Sequence, residues 1–250
     1  METTAATLER VQPFRDTRGT GGIVFDAARL RQATPEWLDP AYWLDAAEPV
    51  REGGRGSAWF VRGSFGDAVL RRYRRGGAAA HLSRDRYVWL GRERVRSVAE
   101  FRLLASLKAE GLPVPAPLVA GWWRRGAFYR QAILVERIHG ARALAAWLPD
   151  RVAAAPWAAV GRTLARFQRR GLDHADLNAH NILVDGGGEV WLIDLDRGVR
   201  RDGGDGGWRE ANLARLQRSL AKIAGDDGGW RDGWRLLHAA YAGALRSPAR

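Results

Sequence analysis

A chain of 250 residues that is 46% hydrophobic and carries 12 tryptophans can fill one large domain or two small lobes, which excludes global disorder. It has no cysteine, so disulfides, thiolate zinc sites and thiol nucleophiles are excluded as well. Its 40 basic residues against 28 acidic ones leave a net charge of +12, nearly all arginine because Lys108 and Lys222 are the only lysines, and this points to a nucleic acid, a phosphate-rich substrate or an anionic membrane face as partner.

The opening METTAATLERVQPF lacks a basic stretch followed by an apolar core, and no eighteen uncharged apolar residues run together anywhere, so neither a secretory leader nor a spanning helix is expected. Residues 1–52 alternate short apolar clusters with Pro35, Pro40 and Pro49 and predict an irregular extension with short helices near 26–32 and 40–46. Apolar stretches at 58–61 and 68–73 around a turn at 63–67 predict an antiparallel hairpin, ended by Gly76 and Gly77. Between 92 and 110 no proline or internal glycine interrupts, and Leu103, Leu104 and Leu107 share a face with Glu100, which predicts a helix closed by Gly111 and Pro113. After PVPAP, apolar runs at 118–123 and 128–137 predict a second hairpin.

From there helices take over, at 144–148 and at 157–170, where Val160, Leu164 and Phe167 fall at i, i+4 and i+7. The exception is a tight hairpin, 181–185 with 189–194, around Gly186–Gly188. Leu213, Leu216, Leu220 and Ile223 predict a helix over 208–224, and Trp234, Leu237 and Tyr241 another over 230–245. The pattern predicts an α+β fold of two lobes, with a cleft near 136–140. Residues 1–137 form an antiparallel-sheet lobe with one helix, and residues 138–250 a mainly helical lobe.

The segment HADLNAHNILVDGGGEVWLID at 174–194 carries the chemistry. Asp, Asn and Asp alone are ordinary turn and cap residues. Together, HxD, an Asn five positions after the Asp, and an apolar strand ending in Asp thirteen beyond the Asn reproduce the order and spacing of the kinase catalytic and metal loops. Phosphoryl transfer needs an in-line nucleophile, fixed metal ions and neutralised phosphate charge. Asp176 suits the first task, as the acceptor of a hydroxyl proton. Asn181 and Asp194 offer the hard oxygens that suit Mg2+. His174 and His180 lack further nitrogen or sulfur ligands at zinc spacing. Gly53, Gly54 and Gly56 precede the first hairpin and could bring backbone amides to phosphates. On its second strand Arg71 takes the slot of the kinase cation that reaches the α- and β-phosphates of ATP, with Glu100 in the slot of its helix partner. Arg72 is adjacent, so strand register decides between them. Asp196 stands where it could be a second metal ligand or only a capped turn, and the residue type favours the turn.

The chain resembles the 3-deoxy-D-manno-octulosonic acid (Kdo) kinase family, distant relatives of protein kinases and aminoglycoside phosphotransferases. The resemblance is carried by DPAYW at 39–43, GGRGSAWFV at 53–61, LRRYRRGG at 70–77, SRDRYVW at 83–89, LVERIHGARALAAWL at 134–148 and HADLNAHNILVD at 174–185. It implies a protein-kinase-like bilobal fold and ATP-dependent phosphorylation of the 4-hydroxyl of a Kdo residue on a lipid A precursor, by a peripheral enzyme on the cytoplasmic face of the inner membrane. By the same resemblance Asp176 is the catalytic base, Asn181 and Asp194 hold Mg2+, Glu100 is the helix partner, and residues from Glu136 to Ile138 form the hinge that contacts adenine. The partners implied are a lipid-linked sugar, the Kdo-lipid A precursor, and the anionic inner-membrane surface; no nucleic acid and no protein partner is implied. The arginines of RRYRRGG and SRDRYVW suit lipid phosphates. The rival readings are an aminoglycoside- or choline-type phosphotransferase, which would want an acidic acceptor pocket, and a nucleic-acid-binding module, for which no finger, RNP or zipper pattern appears.

Overall fold

The computed structural model describes residues 8–50, 57–74, 85–148, 155–202, 207–225 and 229–247. The chain divides into two compact units. The described residues up to Gly111, with Pro115–Arg137, make unit 1; Leu112–Val114 and the described residues from Ile138 onward make unit 2.

Unit 1 holds strands β1 (Glu9–Asp16), β2 (Gly19–Asp26), β3 (Glu48–Pro49), β4 (Ala58–Gly63), β5 (Gly66–Arg72) and β6 (Tyr87–Val88), helix α1 (Arg96–Ala109), and strands β7 (Pro117–Arg125) and β8 (Phe128–Glu136). Among the described residues these strands form one antiparallel sheet in the order β1-β2-β7-β8-β5-β4-β3, with β6 also on β8. The two expected hairpins are β4–β5 and β7–β8, and the expected helix is α1, which begins after a 3-10 turn at Arg92–Arg94. Gly111, at φ +72°, ends it in the left-handed conformation that glycine adopts without steric cost.

The first fifty residues differ from the sequence expectation. Instead of an irregular extension they open with the β1–β2 hairpin, and β2 pairs along β7 to place Ile23, Val24 and Phe25 in the core. The strand is hidden in GTGG because its glycines answer to a distant contact: a Cβ on Gly21 would lie 2.1 Å from the Trp122 carbonyl oxygen, and one on Gly22 2.4 Å from the Trp122 ring. The helix expected near 26–32 is a single turn. Asp26 Oδ1 accepts from the amides of Leu8 and Ala28, which holds the chain in a turn. The segment near 40–46 is a 3-10 stretch, Pro40–Ala46, kinked at Leu44 with φ 48°. With the 3-10 turn Pro35–Leu38 it covers one face of the sheet, where Leu38, Leu70, Leu118 and Leu134 are buried.

Unit 2 contains strand β9 (Arg142–Ala143), helix α2 (Trp157–Arg169), strands β10 (Leu172–Asp173), β11 (Ile182–Val184), β12 (Val190–Leu192) and β13 (Val199–Arg200), and helices α3 (Trp208–Ala224) and α4 (Gly229–Arg246). The stretch expected as a helix at 144–148 is a 3-10 turn, Leu144–Trp147. Helix α2 buries Val160, Leu164 and Phe167, the residues its spacing singled out. It packs closely on α4 because Gly161 has no side chain where the Leu237 carbonyl passes, and a buried Gln168 Oε1 accepts from the Tyr241 hydroxyl at 2.5 Å. The β11–β12 hairpin turns through Gly188 at φ +81°. Asp185 caps it by accepting from the amides of Gly187 and Glu189 and from the Trp191 indole.

Candidate active site

In unit 2 the loop after β10 is built around His174, which is only 2% exposed. Its Nδ1 accepts from the Asp176 amide at 3.3 Å, so the ring proton sits on Nε2 and is donated to the Ile193 carbonyl at 3.1 Å. Burial pushes the imidazole below its ordinary value, although the Ile193 carbonyl and the charges of Asp194 and Asp176 pull the other way. His174 is therefore a neutral bracket between two backbone segments rather than a metal ligand.

The same loop links the backbone around the three expected site residues. Asn181 donates through Nδ2 to the Asp176 carbonyl at 2.9 Å, and the Ile193 amide donates to the Asn181 carbonyl at 3.1 Å. Asp176 itself is exposed, while Asn181 is 8% exposed. With Nδ2 committed to the backbone, Oδ1 is the Asn181 atom that can meet a cation. Asp194 directly follows Ile193 in the left-handed region, φ 60°, a conformation that Asp tolerates better than most residues and that strains the backbone where it aims a side chain. Asp196 lies in the turn closed by the Gly198 amide on the Leu195 carbonyl.

Asn212 on α3 is a residue that sequence reasoning missed. It is 2% exposed; its Oδ1 accepts from the His174 amide at 2.9 Å, and its Nδ2 donates to Asp173 Oδ1 and to the Trp208 carbonyl, each at 2.8 Å. The available signal was a polar residue next to Leu213 and Leu216 on the apolar face of a helix.

In unit 1 the β5 register separates the two candidate arginines. Arg71 pairs with Glu100 of α1, whose side chain is 2% exposed. Glu100 also accepts from the Tyr73 hydroxyl, and the Arg71 guanidinium lies over the Tyr73 ring at 4.6 Å. Arg72, on the opposite face of the strand, bonds Asp39 at 2.8 Å. The Glu136 carboxylate pairs with Arg29 at 2.9 Å; burial raises its pKa but Arg29 outweighs that and holds it below the ordinary carboxylate value. The amides of Glu136 and Arg137 donate to the carbonyls of Ala116 and Asp67. Ile138 is half-buried just beyond them. Gly53, Gly54 and Gly56 lie outside the described residues, as do Arg75–Gly77 of RRYRRGG and the first two residues of SRDRYVW.

Among the described residues no three His, Asp or Glu side chains form a protein-only metal cage. The Asn181 and Asp194 oxygens are instead the sparse donor set that suits Mg2+ bound partly through a nucleotide's phosphates.

An antiparallel sheet with one helix, a helical second part and an HxD loop tied to an Asn and an Asp define a protein-kinase-like phosphotransferase. The family model for the lipopolysaccharide kinase (Kdo/WaaP) family matches residues 40–241. The chain is 56% identical over 218 residues to a 3-deoxy-D-manno-octulosonic acid kinase of Xanthomonas campestris pv. campestris, covering 87% of each chain. It is 55% identical to the protein of that name from Stenotrophomonas maltophilia, again with 87% of each covered, and 53% identical over 234 residues to that from Xylella fastidiosa, covering 92% of this chain and 94% of the relative. The chain belongs to the lipopolysaccharide kinase (Kdo/WaaP) family, and it is a kinase.

Proposed function

We propose that this kinase transfers the γ-phosphoryl group of ATP to the 4-hydroxyl of a Kdo residue on a lipid A precursor. The observation that carries the reaction is the hydrogen-bonded loop in which the Asn181 side chain holds the Asp176 carbonyl, and His174 and the Asn181 carbonyl hold Ile193, the residue before Asp194. The acceptor is supported by the shared name of relatives more than half identical to this chain.

In this reading the Asp176 carboxylate takes the proton of the sugar hydroxyl as its oxygen bonds to the γ-phosphorus, and the bond to the β,γ-bridging oxygen breaks to release ADP. Asn181 Oδ1 and the Asp194 carboxylate would hold Mg2+, which when bound neutralises charge on the β- and γ-phosphates. Arg71 reaches the α- and β-phosphates, with Glu100 and Tyr73 fixing its planar fork. Of the hinge amides, those of Glu136 and Arg137 already donate within unit 1, so Ile138 offers the backbone donor for adenine and Glu136 acts through its ion pair with Arg29. Gly53, Gly54 and Gly56 would offer backbone amides to the phosphates.

The acceptor is lipid-linked, so the enzyme works as a peripheral protein on the cytoplasmic face of the inner membrane, drawn to it by a net charge of +12. No described helix is long and apolar enough to cross a membrane.

Incubation with Mg-ATP and a Kdo-lipid A precursor should place phosphate on the Kdo sugar. Asp176→Ala and Asp194→Ala should each lower kcat by at least about a hundredfold, the range of a lost acid-base or charge-stabilising group. Transfer to aminoglycosides or choline in place of the glycolipid would discard the acceptor and keep the kinase.

A further inference from the structure

Unit 1 contains a cavity of about 460 Å³ that none of Arg71, Glu100, Asp176, Asn181 or Asp194 lines. It opens at the sheet edge where β5 leaves β8 after the Arg72–Ala132 pair and β6 joins β8 at Tyr129, so that Arg130 and Gln131 face the gap between two partner strands. Its size falls within the roughly 300–1,000 Å³ of small-molecule sites.

Five arginines line it, Arg18, Arg72, Arg86, Arg125 and Arg130, against one carboxylate, Asp85. Ion pairs tie three of these arginines to carboxylates. Asp85 pairs with Arg130 at 2.7 Å; Asp39 takes Arg72 at 2.8 Å and Arg18 at 2.9 Å; Asp16 takes Arg18 at 2.8 Å. Burial first, then the repulsion of Arg18 and Arg130, holds the Arg72 guanidinium below its ordinary value against the pull of Asp39 and Asp85.

A second observation comes from Gln131, which also lines the cavity and is 3% exposed. Its Oε1 accepts from the Ser97 amide at 2.8 Å, while its buried Nε2 has no hydrogen-bond partner among the described residues. A buried donor without an acceptor is costly, and an anionic ligand in the cavity would supply one. Phe128 lines it at 46% exposure and pairs across the sheet with Val88, which is 50% exposed. An apolar edge beside five arginines suits a phosphate attached to a lipid.

We propose that this cavity is a phosphate subsite that takes a phosphomonoester borne on a lipid-linked sugar, held by the guanidinium forks and the Gln131 amide, with the lipid side of the ligand over Phe128 and Val88. It rests on the acceptor reading above only for the sugar that carries the phosphate.

The test is calorimetric titration of the full-length protein with glucose 1-phosphate and with glucose, and cosedimentation with phosphatidylcholine vesicles with and without phosphatidic acid. Glucose 1-phosphate should bind and glucose should not, and the protein should sediment with the phosphatidic acid vesicles alone. The double variants Arg72→Gln/Arg130→Gln and Arg86→Gln/Arg125→Gln should weaken both interactions by about tenfold or more, the loss of a charge-assisted hydrogen bond. The second pair lies at exposed positions and keeps the test valid if the first disturbs folding. Sugar-phosphate binding that is absent, or equal in wild type and both variants, overturns the proposal. Vesicle binding without sugar-phosphate binding overturns it too, because the arginines would then serve a membrane surface. Neither measurement uses ATP or the acceptor, so these failures are distinct from a failure of transfer to Kdo.

Discussion

Two buried side chains set what single residues do here. His174 is held neutral, so below its free value of about 6.5 the unfolded chain takes up a proton that the folded one does not, and folding stability drops as the pH falls from there. Urea unfolding at pH 7.5 and 5.5 should show this loss in the wild type and a smaller one in His174→Gln; equal losses would mean that other groups carry it. Glu100, at 2% side-chain exposure, pairs with Arg71 and accepts from Tyr73. Arg71→Ala should cost about 3–5 kcal/mol by removing the cation beside that buried carboxylate. Arg71→Ala/Glu100→Ala should recover much of the stability, yet both variants should show a raised KM for ATP; a double variant as unstable as the single one would refute the pairing energy. The Glu100 slot could be read from helical spacing. Tyr73, which donates to the same carboxylate, could not, since its partner is set by where β5 meets α1.

At the level of elements, two glycines in unit 2 make opposite predictions. A Cβ on Gly161 would lie 2.1 Å from the Leu237 carbonyl oxygen, so Gly161→Ala must push α2 from α4 and should lose about 1–3 kcal/mol. Gly243, inside α4, has nothing within 4 Å of its would-be Cβ, and Gly243→Ala should gain about 0.5–1 kcal/mol from helix propensity. Thermal melts of the two variants should move in opposite directions. The helices were legible because their apolar residues repeat at helical spacing, and the β4–β5, β7–β8 and β11–β12 hairpins because apolar runs flank turn residues. The β1–β2 hairpin was not: Gly21 and Gly22 weaken a strand's own signal, and their reason is Trp122, a hundred positions away.

Over the whole molecule, the surplus of 40 basic over 28 acidic residues should act at long range. Binding to phosphatidylglycerol vesicles should weaken as salt rises past physiological strength, where the screening length is about 8 Å; salt-insensitive binding would point to apolar insertion instead. The sequence by itself determined the α+β class, most elements and the grouping of Asp176, Asn181 and Asp194, because a catalytic loop and a hairpin keep such residues within a short span of chain, where spacing is geometry. Only the tertiary structure decided that Arg71 rather than Arg72 meets Glu100, that Asn212 steadies His174, that Arg29 pairs with Glu136, and that five scattered arginines share one cavity. Each depends on which residues distant in the chain become neighbours when the sheet and helices pack, and no local pattern of side chains records that.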